Sequence, residues 1–181
     1  GSRFWAKVII SQLNNDDGQL IGFAKITQDI TSARESRERE KLLKDIAVES
    51  ATATRFETLL QTVVARLGNY LGWSLGHAYI WHETEQVLKS AKTWFVDEES
   101  TRDSYQKFQQ MSEQMTFAPG VGLPGRIFSS KTVVWIQDIG SDPNFPRGVA
   151  LEKLNFASAI GIPLIENGKV IATLEYFSRT P

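Results

Sequence analysis

A chain of 181 residues has room for one ordinary domain and an appendage, and 41% hydrophobic with 23% charged residues is the composition of a folded globular protein. Its 20 basic and 21 acidic residues are intermixed and sum to -1, which excludes the broad positive field that draws nucleic acid or an anionic membrane surface. Cysteine is absent, so disulfides, thiolate nucleophiles, cysteine-based zinc sites and thioether-linked pigments are excluded together.

No apolar run approaches the roughly 20 residues that span a bilayer, and no basic-then-apolar leader opens the chain, so a cytoplasmic location is expected. Gly1-Ser2 reads as a tag remnant, with natural sequence from Arg3. From Phe4 to Leu13 the apolar residues are dense and partly alternating. The cluster Asn14-Asn15-Asp16-Asp17-Gly18 is a turn, and apolar character returns from Leu20 to Ile30. This predicts a β-hairpin. Two strands alone are marginal in water, so the hairpin needs cover.

A helix is predicted from Thr31 and Ser32, where Ser32 and Glu35 have capping-box spacing and Glu35/Arg39 and Glu40/Lys44 have the i, i+4 spacing of an exposed face. Beyond it Leu42, Ile46, Ala53, Phe56, Leu60, Val63, Leu67 and Tyr70 fall on alternating four- and three-residue steps, interrupted by Glu49. The spacing fits both a coiled-coil seam and a helix covering its own domain. We expect both: Leu42, Ile46, Ala53, Phe56, Leu60 and Val63 at a homodimer interface, and Leu59 to Leu71 docked on the sheet that follows.

After Gly72 the pattern alternates between strand and helix. Strands are predicted at Leu75–His82, Val87–Phe95 and Val133–Gln137, and helices at Glu98–Met115, Gly125–Ser130 and Ala150–Asn155. Ser158–Ile165 and Lys169–Phe177 flank Glu166-Asn167-Gly168, whose Asn-Gly supplies the positive φ angles of a tight turn. The fold class is α+β: an antiparallel sheet flanked by helices, with an amino-terminal hairpin and a long coiled-coil linker helix.

The run Phe117-Ala118-Pro119-Gly120-Val121-Gly122-Leu123-Pro124-Gly125-Arg126 resembles the glycine-rich segment of GAF domains in bacterial signalling proteins. The resemblance continues through Val134-Trp135-Ile136-Gln137-Asp138, Asn144-Phe145-Pro146-Arg147, Gly161-Ile162-Pro163 and Leu174-Glu175-Tyr176-Phe177-Ser178, and Gly72-Trp73 with Gly76-His77-Ala78-Tyr79 resembles the family's first core strand. The amino-terminal hairpin, ending in Gly22 to Thr31 with Asp29-Ile30-Thr31, resembles the last two strands of a PAS domain with its exit into a linker helix. The layout so implied is a PAS remnant at 3–31, a linker helix at 32–57 and a GAF domain at 58–181. It implies a parent of the two-component sensor histidine kinase type, with an output module elsewhere in that parent.

The family resemblance implies a ligand cavity between the sheet and the loops from Phe117 to Asn155. Polar anchors are then expected at His77, Asp138, Asn144 and Arg147, with Tyr79, Trp94, Phe117, Trp135 and Phe145 as walls. Asp138 has the alternative of capping its turn, and Arg147 that of a surface ion pair. His77 and His82, the two histidines, are the only candidate haem ligands. Gly120, Gly122 and Gly125 are too irregularly spaced for a dinucleotide or P-loop fingerprint. Without a thiol, a nucleophile elbow or a paired-histidine metal motif, the chain is expected not to be an enzyme, the cysteine-dependent methionine sulfoxide reductases and covalent bilin chemistry included. A regulatory signal-transduction domain is expected, acting as a dimerising relay or as a sensor of a non-covalent ligand.

Overall fold

The computed structural model describes residues 3–97 and 102–180, with backbone alone for residues 102–104 and 152. The chain divides into two compact units, residues 1–47 and 48–181. In the first, β1 (Ala6–Asn14) pairs antiparallel with β2 (Leu20–Asp29), as the alternation and the turn cluster require. Helix α1 (Thr31–Thr52) follows at once. Asp29 Oδ1 accepts the Thr31 amide at 2.9 Å and Thr31 Oγ1 accepts the Trp5 amide at 2.9 Å, so the hairpin itself sets the helix start. Ser32 therefore lies inside the first turn instead of at the cap. An exposed i, i+4 ion pair on α1 joins Arg34 and Glu38 at 2.8 Å.

In the second unit the elements run α2 (Phe56–Leu71), β3 (Leu75–His82), β4 (Val87–Val96), α3 (Arg102–Gln114), β5 (Thr116–Phe117), α4 (Gly122–Ser130), β6 (Val134–Ile136), α5 (Gly148–Glu152), β7 (Ser158–Glu166) and β8 (Lys169–Ser178). Positions 98–101 of the predicted third helix lie outside the described residues. The six strands form one antiparallel sheet in the order β5-β4-β3-β8-β7-β6. Asn167 and Gly168, at φ of 50° and 77°, make the tight β7–β8 turn that their residue types favour.

The helical seam does not run through. Thr52 turns its hydroxyl back onto the carbonyls of Val48 and Glu49, and Arg55 is extended at φ -139°, so α1 ends and α2 begins anew at Phe56. Leu60 and Val63, expected between two protomers, are instead buried with Val64 and Gly68 inside the second unit, where α2 covers β3 and β4. The reason is energetic: burying such side chains gains about 1.5–3 kcal/mol each, and their own sheet lies alongside. Tyr176 Oη donates to the Val64 carbonyl at 3.1 Å through the same layer. With α2 on this face of the sheet, the opposite face of β3, β4 and β8 is left to α3, α4, α5 and their loops.

Candidate functional site

Side chains alternate along a strand, so on β3 His77 and Tyr79 share a face opposite to Gly76 and Ala78. On β8 the same alternation puts Glu175 and Phe177 opposite to Tyr176, which points at α2. A register shift recruits β4: His77 pairs with Trp94, whereas Tyr79, two residues on, pairs with Ser90. The extra length bulges at Lys92, which sits at φ 53° with its amide on Ser90 Oγ. Both Trp94 and Ser90 can therefore address His77. The indole stacks on the imidazole at 3.7 Å, and Ser90 Oγ lies 2.9 Å from Nε2.

Arg147 enters from the loop before α5 and is 2% exposed. Its Nη1 and Nη2 donate to Glu175 Oε1 and Oε2 at 2.6 and 2.5 Å, the parallel pairing that suits guanidinium and carboxylate. Nη1 also reaches Tyr79 Oη at 3.2 Å and Ser112 Oγ at 3.3 Å, and Tyr79 in turn donates to the Ser112 carbonyl at 3.1 Å. Nε has no partner among the described residues. Phe117, Tyr79, Phe108, Phe145 and Phe177 surround the guanidinium carbon, their ring centroids 5.0 to 5.9 Å away. Trp94 closes the far side, donating through Nε1 to Glu113 at 2.8 Å.

Burial would push the Glu175 carboxyl up, but Arg147 and the bonds from His77 and Arg147 hold it below its ordinary value. Burial pushes the His77 imidazole down against the opposing pull of Glu175, and pushes the Tyr79 phenol up. The resting cluster is thus one cation and one anion, with a neutral imidazole and a neutral phenol beside them.

The loop that delivers Arg147 is held to the glycine-rich loop. Asn144 Oδ1 accepts the Gly122 amide at 2.9 Å and its Nδ2 donates to the Gly120 carbonyl at 2.8 Å, while Arg126 pairs with Asp142 at 2.9 Å. Asn144→Ala strands both glycine backbone groups and is expected to cost about 1–3 kcal/mol in a urea titration. A loss within about 0.5 kcal/mol would mean that the loops hold without this brace.

Six of the expected site residues therefore converge: His77, Tyr79, Trp94, Phe117, Phe145 and Arg147. Three do not. Trp135 is 56% exposed and stands edge-on to Trp73 at 5.6 Å, Asp138 caps the Gly140 amide at 3.0 Å, and Asn144 is the loop brace. These three line a separate surface groove with Arg126. Arg147 is corrected from a free or surface-paired anchor to half of a buried ion pair, because a guanidinium this deep requires a counter-charge. His77 does not fit haem: both ring nitrogens are within reach of hydrogen-bond partners and the ring is stacked on Trp94. Sequence reasoning missed Glu175, Ser90 and Ser112. The available signal was a lone carboxylate inside the apolar run Leu174-Glu175-Tyr176-Phe177, which announces a buried partner without naming it.

Residues 53–181 match the sequence model of a family described as GAF domain. The chain shares its fold with the free methionine-R-sulfoxide reductase of Neisseria meningitidis in complex with its substrate, at 20% identity and TM-score 0.59, over 81% of this chain and 76% of that one. The GAF domain of A. aeolicus nlh2 in an inactive state is similar at 17% identity and TM-score 0.61, over 81% and 83% of the two chains. So is the GAF domain of a Coxiella burnetii phosphoenolpyruvate-protein phosphotransferase, at 19% and 0.62, over 80% and 79%. No curated protein matches the chain in sequence. The expectation that the chain is not an enzyme is corrected by the first of these likenesses: the fold carries catalysis in a reductase, so missing sequence motifs do not exclude an activity. No helix among the described residues is long and apolar enough to cross a membrane.

Proposed function

The chain belongs to the GAF domain family, a family of regulatory and sensory domains, and from that premise we propose that its second unit senses a small molecule at the Arg147 cluster and reports binding to an output module. One observation carries this reading. A guanidinium sits almost wholly out of water, ringed by aromatic side chains, with its Nε donor unpartnered. Small-molecule sites have this character, mostly apolar with a few convergent polar groups. Binding that displaces any contact of Arg147 would move the loop before α5, and with it the Asn144 brace on the glycine loop. Differential affinity for the two loop arrangements is what a sensor requires.

In the same proposal residues 3–31 are the closing hairpin of a PAS domain, 32–57 a signalling helix and 58–181 the sensing domain, in a cytoplasmic parent of the sensor histidine kinase type. Native mass spectra of the freshly purified protein test it. A reproducible extra mass, lost in Arg147 variants, is the expected result. If no passenger is found, and no compound from a panel of neutral, cationic and anionic small molecules shifts the Tyr79 or Phe117 resonances, the sensing reading falls.

A second reading is a homodimeric relay without a ligand. Apolar side chains exposed on the hairpin and on α1, among them Ile10, Ile21, Phe23, Ile26, Leu43 and Val48, support it, since faces of this kind mark interaction surfaces. With Leu60 and Val63 committed to the chain's own core, the helix contact rests on Leu42, Ile46, Ala53 and Phe56. Leu42→Glu is expected to convert a dimer to a monomer by light scattering; an unchanged dimer mass would remove α1 from the interface.

A further inference from the structure

Arg147 carries five N–H groups in one rigid plane, and its protein partners leave one edge of that plane unused. Nη1 serves Glu175, Tyr79 and Ser112, Nη2 serves Glu175, and Nε is unpartnered. Planarity puts Nε–H and the second N–H of Nη2 side by side, the arrangement that receives a carboxylate in two parallel bonds. A lone hydroxyl or carbonyl would fill only half of it. Phe108, one of the rings around the guanidinium, also lines a groove of about 250 Å³ between α3 and α5. Met111, Ala150 and Leu154 complete its apolar lining, and Lys107 and Lys153 supply positive charge. Arg147 does not line the groove, so a ligand seated there reaches the guanidinium only when Phe108 moves aside; the lining itself suits an anion with a small apolar body.

Charge balance sets a second condition. Arg147 and Glu175 already sum to zero, so an added carboxylate leaves a net negative charge out of water, which is strongly unfavourable unless a proton accompanies it. His77 is placed to take that proton. It faces Glu175 on β8 at 3.4 Å, Ser90 and Trp94 on β4, Tyr79 on its own strand, Arg147 ahead of α5 and Glu113 on α3. In the neutral ring, Nδ1–H donates to Glu175, which can only accept, and Nε2 accepts the Ser90 hydroxyl. Turning that hydroxyl round makes Ser90 an acceptor for a new Nε2–H. Burial keeps the imidazole below its ordinary value despite Glu175, so it starts neutral, and a nearby anion favours its charged form.

We propose that the cluster takes a small carboxylate on the Nε–Nη2 edge of Arg147 and that one proton, drawn from solvent, enters with it onto Nε2 of His77. The inference rests on the ligand-sensing reading of the same site and specifies its ligand class and its regulation by pH. Where His77 is neutral in the free protein and charged in the complex, affinity rises by up to about tenfold for each unit that pH falls.

The probes are benzoate and its uncharged isostere benzamide, titrated calorimetrically into the intact chain between pH 6 and 8 in Pipes and in Tris. Benzoate is expected to bind, with a buffer-dependent heat corresponding to about one proton taken up, and benzamide at least about tenfold more weakly. In ¹⁵N-histidine spectra of the His82→Gln variant, which leaves His77 as the single histidine, saturation with benzoate is expected to move both ring nitrogens to imidazolium positions. Arg147→Lys, which keeps the charge and loses the fork, is expected to weaken benzoate by at least about tenfold. Equal binding of benzoate and benzamide, or binding of neutral compounds alone, overturns the carboxylate assignment while leaving ligand sensing intact. Proton uptake with an unchanged His77 spectrum places the proton elsewhere and overturns the role of His77. Failure of acetate, benzoate and phenylacetate alike at millimolar concentration overturns the proposal whether or not other ligands bind.

Discussion

Glu175→Gln is expected to destabilise the protein by about 3–5 kcal/mol although the change is near-isosteric. Glu175 is 1% exposed and Arg147 2%, so solvent cannot screen the pair. The substitution preserves volume and one acceptor and removes the counter-charge, leaving a guanidinium in a ring of aromatics with no anion in direct contact. Arg147→Met combined with Glu175→Gln should cost markedly less than Glu175→Gln alone, because the double variant buries no charge. Guanidinium denaturation of both variants, at unchanged m-value, checks this. A loss below about 1 kcal/mol for Glu175→Gln would show that the pair is not the electrostatic centre of the core.

The same cluster fixes the sign of the pH dependence. The carboxyl of Glu175 is held below its ordinary 4.5, so its contribution is complete above that value and is lost as pH falls through the lower folded-state value. The His77 imidazole is also held below its ordinary 6.5, so the unfolded chain takes up a proton first and stability begins to fall as pH drops below about 6.5. Two acid limbs are expected, with Glu175→Gln removing the lower and His77→Gln the upper. A single limb near the ordinary carboxylate range in the parent protein would mean that His77 titrates as it does in the unfolded chain.

Gly125→Ala is the second large effect, and its cause is backbone. A Cβ at Gly125 would lie 2.2 Å from the Ala118 carbonyl oxygen and 3.1 Å from the Gly120 amide, so the first turn of α4 and the loop before it would have to part. The Gly120 amide donates to the Gly125 carbonyl at 2.8 Å across the same contact, so separation also breaks the bond that closes the loop. A loss of about 3 kcal/mol is expected, at the upper end of overpacking costs. Gly161→Ala is the comparison. Its Cβ would come as close, 2.2 Å, to Ile127 Cδ1, with Ile127 Cγ1 at 2.6 Å and Leu123 Cδ1 at 2.9 Å, but all three are side-chain atoms, which shift more readily than backbone. The smaller loss at Gly161 is the point of the pair; equal losses would show that the glycine loop yields as easily as a side chain.

Much of the architecture was legible one element at a time. β3, β4, β7 and β8 follow from alternation, and the last hairpin from Asn167-Gly168, because both signals are confined to a few adjacent residues. The two-residue β5 carries too little pattern to be seen, and the start of α4 at Gly122 was hidden because its first turn is built on glycine and proline. The break between α1 and α2 was invisible for the opposite reason. The apolar spacing runs smoothly across it, while the chain turns on the Thr52 hydroxyl and one extended residue, Arg55.

By itself the sequence determined the α+β class, the sheet's strands apart from β5, the exclusion of thiol chemistry, and Arg147 with five of the aromatic and polar residues that meet around it. Only the tertiary structure decided what those residues do. Glu175 stands 28 residues from Arg147 and 98 from His77, and no periodicity links them. The bulge at Lys92 decides that Ser90 and Trp94 both face His77. Folding takes this cluster out of water, and in that low dielectric each charge requires a partner at hydrogen-bond distance, whatever the separation along the chain.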